Sequence, residues 1–165
     1  CNIAIEAGSI IKSYYKLNNE VAFKEDRTPL TEADLASNKF IIDSLSELNI
    51  DIPILSEESL VNWDIRKNWS RSWLVDPLDG TKEFINKREE FTVNIALIEN
   101  NEPTLGVIYA PVLSILYYAI KNNGSYKLYC DQKINSLSHS TQIQTRHKKI
   151  KTRFTRITSS PIKIR

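Results

Sequence analysis

Apolar residues recur at helical spacing in two stretches of the chain and at strand spacing through much of the remainder. Ile3, Ala4, Ala7, Ile10 and Ile11 fall on one side of a 3.6-residue period, which predicts an amphipathic helix over residues 2–18. Residues 19–30 form a polar connector ending in Arg27-Thr28-Pro29. Thr31 then has the position of an N-cap, and Thr31-Glu32-Ala33-Asp34 has the spacing of a capping box. Leu35, Ile41, Ile42, Leu45 and Leu48 supply the buried stripe of the second helix. Ile52-Pro53-Ile54-Leu55 reads as a short strand, and residues 57–70 as a polar excursion holding Trp63 and Trp69. Ser72-Trp73-Leu74-Val75-Asp76 is a buried strand that Pro77 ends, and Thr81 starts a short helix through Asn86.

After Asn86 the period changes from helical to extended. Phe91–Glu99, Thr104–Ala110, Ser114–Lys121 and Ser125–Cys130 are short β-rich runs, separated by Asn100-Asn101-Glu102-Pro103, by Pro111 and by Asn122-Asn123-Gly124. The last separator is a hairpin signal. Two helices followed by adjacent strands predict an α+β fold, with the helices packed on a mostly antiparallel sheet. Residues 103–120 carry no charge, which approaches the length of a membrane span, but Pro111 interrupts the run. Two buried strands broken at Pro111 is the expectation, with no integral membrane span. Beyond Lys133 the pattern weakens, and Gln142–Thr145 and Phe154–Thr158 are strand candidates.

Composition changes this picture in two places. The 165 residues are 41% hydrophobic and 25% charged with only 4 Gly and 6 Pro, which excludes collagen-like and largely disordered classes and fits about one domain. The formal net charge of +2 conceals an asymmetry. Residues 1–145 carry 14 basic and 20 acidic side chains, whereas residues 146–165 carry 8 basic and none acidic. The expected division is an N-terminal domain over 1–145 and a basic tail over 146–165, disordered or related to a truncation. Nucleic-acid binding through the tail is disfavoured because Phe154 is its single aromatic residue. The chain lacks Met and begins with Cys1. A fragment is favoured over a lipidated mature N-terminus, because helical apolar spacing starts at Ile3 in place of a polar tether. Cys1 and Cys130 match no zinc or redox spacing and read as idle thiols in a reducing cytosol.

The candidate chemistry lies in Asp76-Pro77-Leu78-Asp79-Gly80-Thr81. A carboxylate at the end of a buried strand needs a partner. A sharp turn through Pro77 brings Asp79 beside Asp76, and two like charges in one small volume call for a cation between them. Hard oxygen donors suit Mg²⁺. Gly80 allows close approach to the backbone, and the Gly80 and Thr81 amides open a helix where an anion is favoured. The bland alternative is a turn with two solvated acids. Ser56-Glu57-Glu58-Ser59 follows another short strand, and Asp34 stands in the first turn of a helix. By spacing alone, Glu57 reads as a solvated acid and Asp34 as a capping group. Lys24, Lys82, His139 and His147 read as surface residues.

Leu55-Ser-Glu-Glu-Ser59 followed by Trp73-Leu-Val-Asp-Pro-Leu-Asp-Gly-Thr-Lys-Glu-Phe84 resembles the inositol monophosphatase superfamily of Mg²⁺-dependent, lithium-sensitive phosphatases. Pro29-Leu30-Thr31-Glu32-Ala33-Asp34, Glu90–Ile98 and Leu105–Pro111 are similar to its CysQ-type 3'(2'),5'-bisphosphate nucleotidases. The resemblance covers residues 1–130.

The resemblance implies a layered sugar-phosphatase fold, of which this chain is the N-terminal half. It implies Glu57, Asp76, Asp79 and the Leu78 carbonyl as ligands of two or more Mg²⁺ ions. Asp34 and Thr81 would be the catalytic pair that orients and deprotonates water, and the Gly80 and Thr81 amides would hold the phosphate. The implied reaction is hydrolysis of 3'-phosphoadenosine 5'-phosphate to AMP and phosphate, a step of sulfur assimilation, with inositol monophosphate as the alternative substrate. The implied partner is a small nucleotide and the implied location cytoplasmic, including the inner face of the cytoplasmic membrane. Family members continue for about 80 to 100 further residues, as a larger domain requires. That second half carries a Trp-Asp motif whose Asp completes a metal site. Trp63-Asp64 is the one such pair here, lies before the Asp76–Thr81 turn, and reads as loop. A non-catalytic remnant is therefore the competing expectation, with apolar surface left open on Val107–Ile120 and self-association through the sheet.

Overall fold

The computed structural model describes residues 1–16, 21–23, 29–48, 51–130 and 140–143. Helix α1 (Asn2–Tyr15) and helix α2 (Glu32–Ser46) pack together on one face of a sheet. That sheet contains β3 (Ile54–Ser56), β4 (Arg71–Asp79), β5 (Thr92–Glu99), β6 (Glu102–Ala110), β7 (Ile115–Ile120), β8 (Gly124–Tyr129) and β9 (Thr141–Ile143), in sequence order. β3 pairs parallel to β4, and every later neighbour is antiparallel. The fold is the expected α+β class.

Alternation along each strand builds the core. Trp73 and Val75 of β4, Val93 and Ile95 of β5, Val107 and Tyr109 of β6, Leu116 of β7 and Leu128 of β8 are buried under the helices. α1 lies tight against the sheet at Gly8, where a Cβ would stand 2.5 Å from Tyr109 Cε1 and 3.0 Å from Pro111 Cγ. Only hydrogen fits there. The opposite face exposes Leu74, Ile108 and Tyr117. The uncharged run is thus two half-buried strands with Pro111 in their turn, not two fully buried ones. Among the described residues no helix is long and apolar enough to cross a membrane.

Several expectations need correction. α1 ends at Tyr15. The polar connector holds two short strands, β1 (Val21–Phe23) and β2 (Pro29–Thr31), paired antiparallel in a separate ribbon. Leu35 and Leu48 are exposed, and α2 buries Ala33, Asp34, Ser37, Asn38, Ile41 and Leu45. Pro77 does not end β4. Asp76 pairs with Asn94 and Asp79 with Thr92, so Pro77 sits in a bulge where its missing N–H breaks no ladder bond. Pro103 lies inside β6, because the hairpin turns on Asn100 and Asn101 alone, both at positive φ (50° and 64°). Trp63-Asp64 opens a one-turn helix, α3 (Trp63–Arg66), where the Asn62 side chain accepts from Asp64 N–H at 2.9 Å and Asp64 pairs with Lys67. The late strand is Thr141–Ile143, beside β8. Phe154–Thr158, the tail, Lys24, His139 and His147 lie outside the described residues. Lys82 is exposed as expected, and neither Cys1 nor Cys130 is in a disulfide.

Candidate active site

Three chain segments bring their carboxyl groups to one end of the helix layer. β3 delivers Glu57 immediately after its last residue, and the Glu57 N–H donates to the Val75 carbonyl at 3.1 Å. The bulge in β4 delivers Asp76 and Asp79. The first turn of α2 delivers Asp34. Helix α4 (Thr81–Ile85) then begins at Gly80, whose φ of +100° is left-handed and whose added Cβ would stand 2.9 Å from the Glu90 carbonyl oxygen. α4 is anchored by Phe84, whose ring meets Tyr15 and Phe91 at centroid distances of 5.5 and 5.4 Å.

Asp34 is buried and accepts from three donors. The Thr31 N–H donates at 2.9 Å, the Thr31 hydroxyl donates to the same oxygen, and the Thr81 hydroxyl reaches the other at 3.1 Å. The Thr81 hydroxyl also lies 3.3 Å from the Leu78 carbonyl, so one proton is shared between two acceptors. Burial raises the Asp34 pKa from its ordinary value, and the donors from Thr31 and Thr81 oppose that shift. The N-terminal capping role read from the sequence is real, and the bond to Thr81, 47 residues away, is added to it.

Asp76 is the most perturbed group of the set. Burial first, then the charges of Glu57 and Asp79 and a hydrogen bond shared with Glu57, push its pKa up to about 7, against a bond from the Leu78 amide. Its Oδ1 is buried with no hydrogen-bond partner. Asp79 is exposed and accepts from Asn94 Nδ2 at 3.1 Å, while Asn94 Oδ1 accepts from the Thr92 hydroxyl at 3.0 Å. Among the described residues, no three Asp, Glu, His or Cys side chains already enclose a metal position. The donor set nevertheless fits a hard divalent cation. Asp76 Oδ1 lacks a partner, and burial beside two other carboxyls drives Asp76 toward its protonated form, a penalty that a bound cation would relieve. An apolar cleft of 290 Å³ lined by Ile3, Leu45, Trp73, Ile95, Leu105 and Tyr118 includes none of these groups and lies apart from the chemistry.

The structure brings Glu57, Asp76 and Asp79 into electrostatic contact, and joins Asp34 to Thr81 and Thr81 to the Leu78 carbonyl. Sequence reasoning missed Ser37, Asn38, Ser56 and Asn94. Ser37 and Asn38 had a signal: they interrupt the apolar face of α2 three and four positions after Asp34. Asn94 is an ordinary strand residue in the sequence, and only the β4–β5 register sets it beside Asp79.

The chain is similar to several known proteins. The 3'(2'),5'-bisphosphate nucleotidase CysQ of Salmonella typhimurium is 53% identical over 121 residues, which cover 72% of this chain and 49% of that protein. The protein of the same name from Haemophilus influenzae is 43% identical over 140 residues, 84% of this chain and 52% of the relative. The crystal structure of CysQ from Bacteroides thetaiotaomicron superposes with a TM-score of 0.73 at 37% identity, covering 88% of this chain and 56% of that one. The chain spans about half the length of these relatives, their N-terminal half. Residues 1–161 match the model of the inositol monophosphatase family, and with the fold in agreement, the chain belongs to that family.

Proposed function

We propose that this chain carries the metal- and phosphate-binding portion of a Mg²⁺-dependent phosphomonoesterase that converts 3'-phosphoadenosine 5'-phosphate to AMP and phosphate. The observation that carries the reading is the partnerless, buried Asp76 Oδ1 beside Glu57 and Asp79. The nucleotide substrate is favoured over inositol monophosphate because the nucleotidases are 43 to 53% identical, whereas an inositol monophosphatase from Thermotoga maritima is 27% identical. Residues 1–145 form the phosphatase unit in this reading, with 146–165 as a basic appendage.

Glu57, Asp76, Asp79 and the Leu78 carbonyl are the residues that would hold Mg²⁺. When bound, Mg²⁺ supplies Lewis acidity and a water of lowered pKa. The chain's own contribution is proton handling and orientation. The Thr81 hydroxyl donates toward Asp34, which leaves its lone pairs to accept from a water. Burial makes Asp34 a stronger base than a solvated carboxylate, so it takes the proton that Thr81 relays as water attacks phosphorus. The Gly80 and Thr81 amides, at the start of α4 where Gly80 carries no Cβ, would hold the phosphate oxygens.

The test is phosphate release from 3'-phosphoadenosine 5'-phosphate together with calorimetric Mg²⁺ binding. Mg²⁺ binding that Asp79→Asn abolishes is expected, with turnover far below that of a full-length relative because about half of the relatives' length is not represented. Preference for inositol monophosphate overturns the substrate, and loss of both binding and turnover in the unmodified chain overturns the site.

A further inference from the structure

Asp34, Ser37 and Asn38 stand at i, i+3 and i+4 of α2 and share one face. Each reaches a different segment of the site. Asp34 meets Thr31 and Thr81. The Ser37 hydroxyl donates to the Pro77 carbonyl at 2.9 Å, in the bulge between Asp76 and Leu78. Asn38 accepts from the Ser56 hydroxyl at 2.6 Å and donates to Ser59 Oγ at 3.0 Å, so it spans the two residues that bracket Glu57-Glu58. Ser56 Oγ in turn accepts from the Glu58 N–H at 3.3 Å.

These groups are deeply covered: Ser37 and Ser56 are 0% exposed and Asn38 is 7% exposed. A helix packing on a sheet gains from apolar residues at such positions, and a polar group there costs free energy unless every bond is made. Here both α2 side chains spend their bonds on the segments that carry the carboxylates. Apolar contact would fill the same space, but it tolerates sliding, whereas hydrogen bonds fix distance and direction.

We propose that Ser37 and Asn38 are positioning residues: from one turn of α2 they hold the Glu57 loop and the Asp76–Asp79 bulge at a single separation. Its functional consequence rests on the metal-dependent phosphatase reading, while the clamp itself does not. Removing a side chain that orients ligands weakens metal binding by about tenfold or more.

The experiment uses the whole chain and two readouts: Mn²⁺ binding followed by electron paramagnetic resonance, and amide hydrogen exchange by NMR. Asn38→Ala and Ser56→Ala are each expected to weaken Mn²⁺ binding about tenfold, and the double variant no more than the weaker single, since both break one clamp. Exchange should accelerate at Glu57 and Glu58 in Asn38→Ala and at Leu78 in Ser37→Ala, with the β6 and β7 amides unchanged. Ser46→Ala, on the same helix but bonded only to Ile42 O, should change neither readout. Ser59→Ala removes an exposed partner and carries the same expectation at about threefold should Asn38→Ala not fold. Exchange that rises uniformly, or stays unchanged at residues 57, 58 and 78, overturns the clamp. An unmodified chain that binds no Mn²⁺ overturns the metal reading alone, and the exchange pattern still decides the clamp.

Discussion

Asp76→Asn should flatten the pH response of the chain in the presence of a chelator. Asp76 titrates near 7 in the folded chain, against the ordinary value of 3.8. Its protonated form is therefore the one that folding favours. The stability it contributes is fully present below pH 3.8 and is lost as pH rises through about 7. Three pKa units correspond to about 4 kcal/mol. Partial solvent access reduces the expected loss to about 2 kcal/mol. Asparagine keeps the shape and cannot ionise, so the variant should be more stable than the parent by about 2 kcal/mol near pH 8, by about 1 kcal/mol near pH 5.5, and nearly equal only below pH 3.8. Asp34, also raised by burial, leaves a smaller slope of the same sign in both proteins. Urea denaturation followed by circular dichroism at the two pH values measures this directly. Adding Mg²⁺ near pH 8 should stabilise the parent and not the variant, because a ligand stabilises only the form that binds it. Equal pH slopes in the two proteins would refute the electrostatic account of this site.

Gly8→Ala should lower the melting temperature through a loss of about 2 kcal/mol, since the new methyl group meets Tyr109 at 2.5 Å and α1 must move off the sheet. Differential scanning calorimetry reads it, and an unchanged melting temperature would show that α1 has room there. The apolar face bearing Leu74, Ile108 and Tyr117 should drive self-association at micromolar concentrations. Sedimentation velocity should show a shift toward monomer in Ile108→Lys, and a parent that is monomeric throughout refutes the expectation.

The local grammar of this chain was legible without any structure. Thr31 and Asp34 announce the start of α2, the Asn-rich turns announce the hairpins, and the β-rich runs after Asn86 announce a mostly antiparallel sheet. The motif Asp76–Thr81 pointed to the site because a strand, a proline, two carboxylates and a glycine within six residues leave few physical alternatives. Those signals depend on neighbours within one or two turns, which the sequence contains.

The tertiary structure decided what depends on distant segments meeting. The spacing of Glu57 read as a solvated acid, and its character changed once β3 paired parallel to β4 and set it against Asp76. Asp34 read as a cap until Thr81 arrived from 47 residues away. Leu35 faces solvent while Ser37 and Asn38 are buried, the inverse of their intrinsic hydropathy, because the partners of that helix face are hydroxyls and a carbonyl and not a hydrocarbon layer. Hydrophobic periodicity measures the average environment of a helix. The candidate site is the place where the environment departs from that average, so only the packed fold could bring Glu57, Asp34 and Asn94 to the Asp76–Thr81 motif.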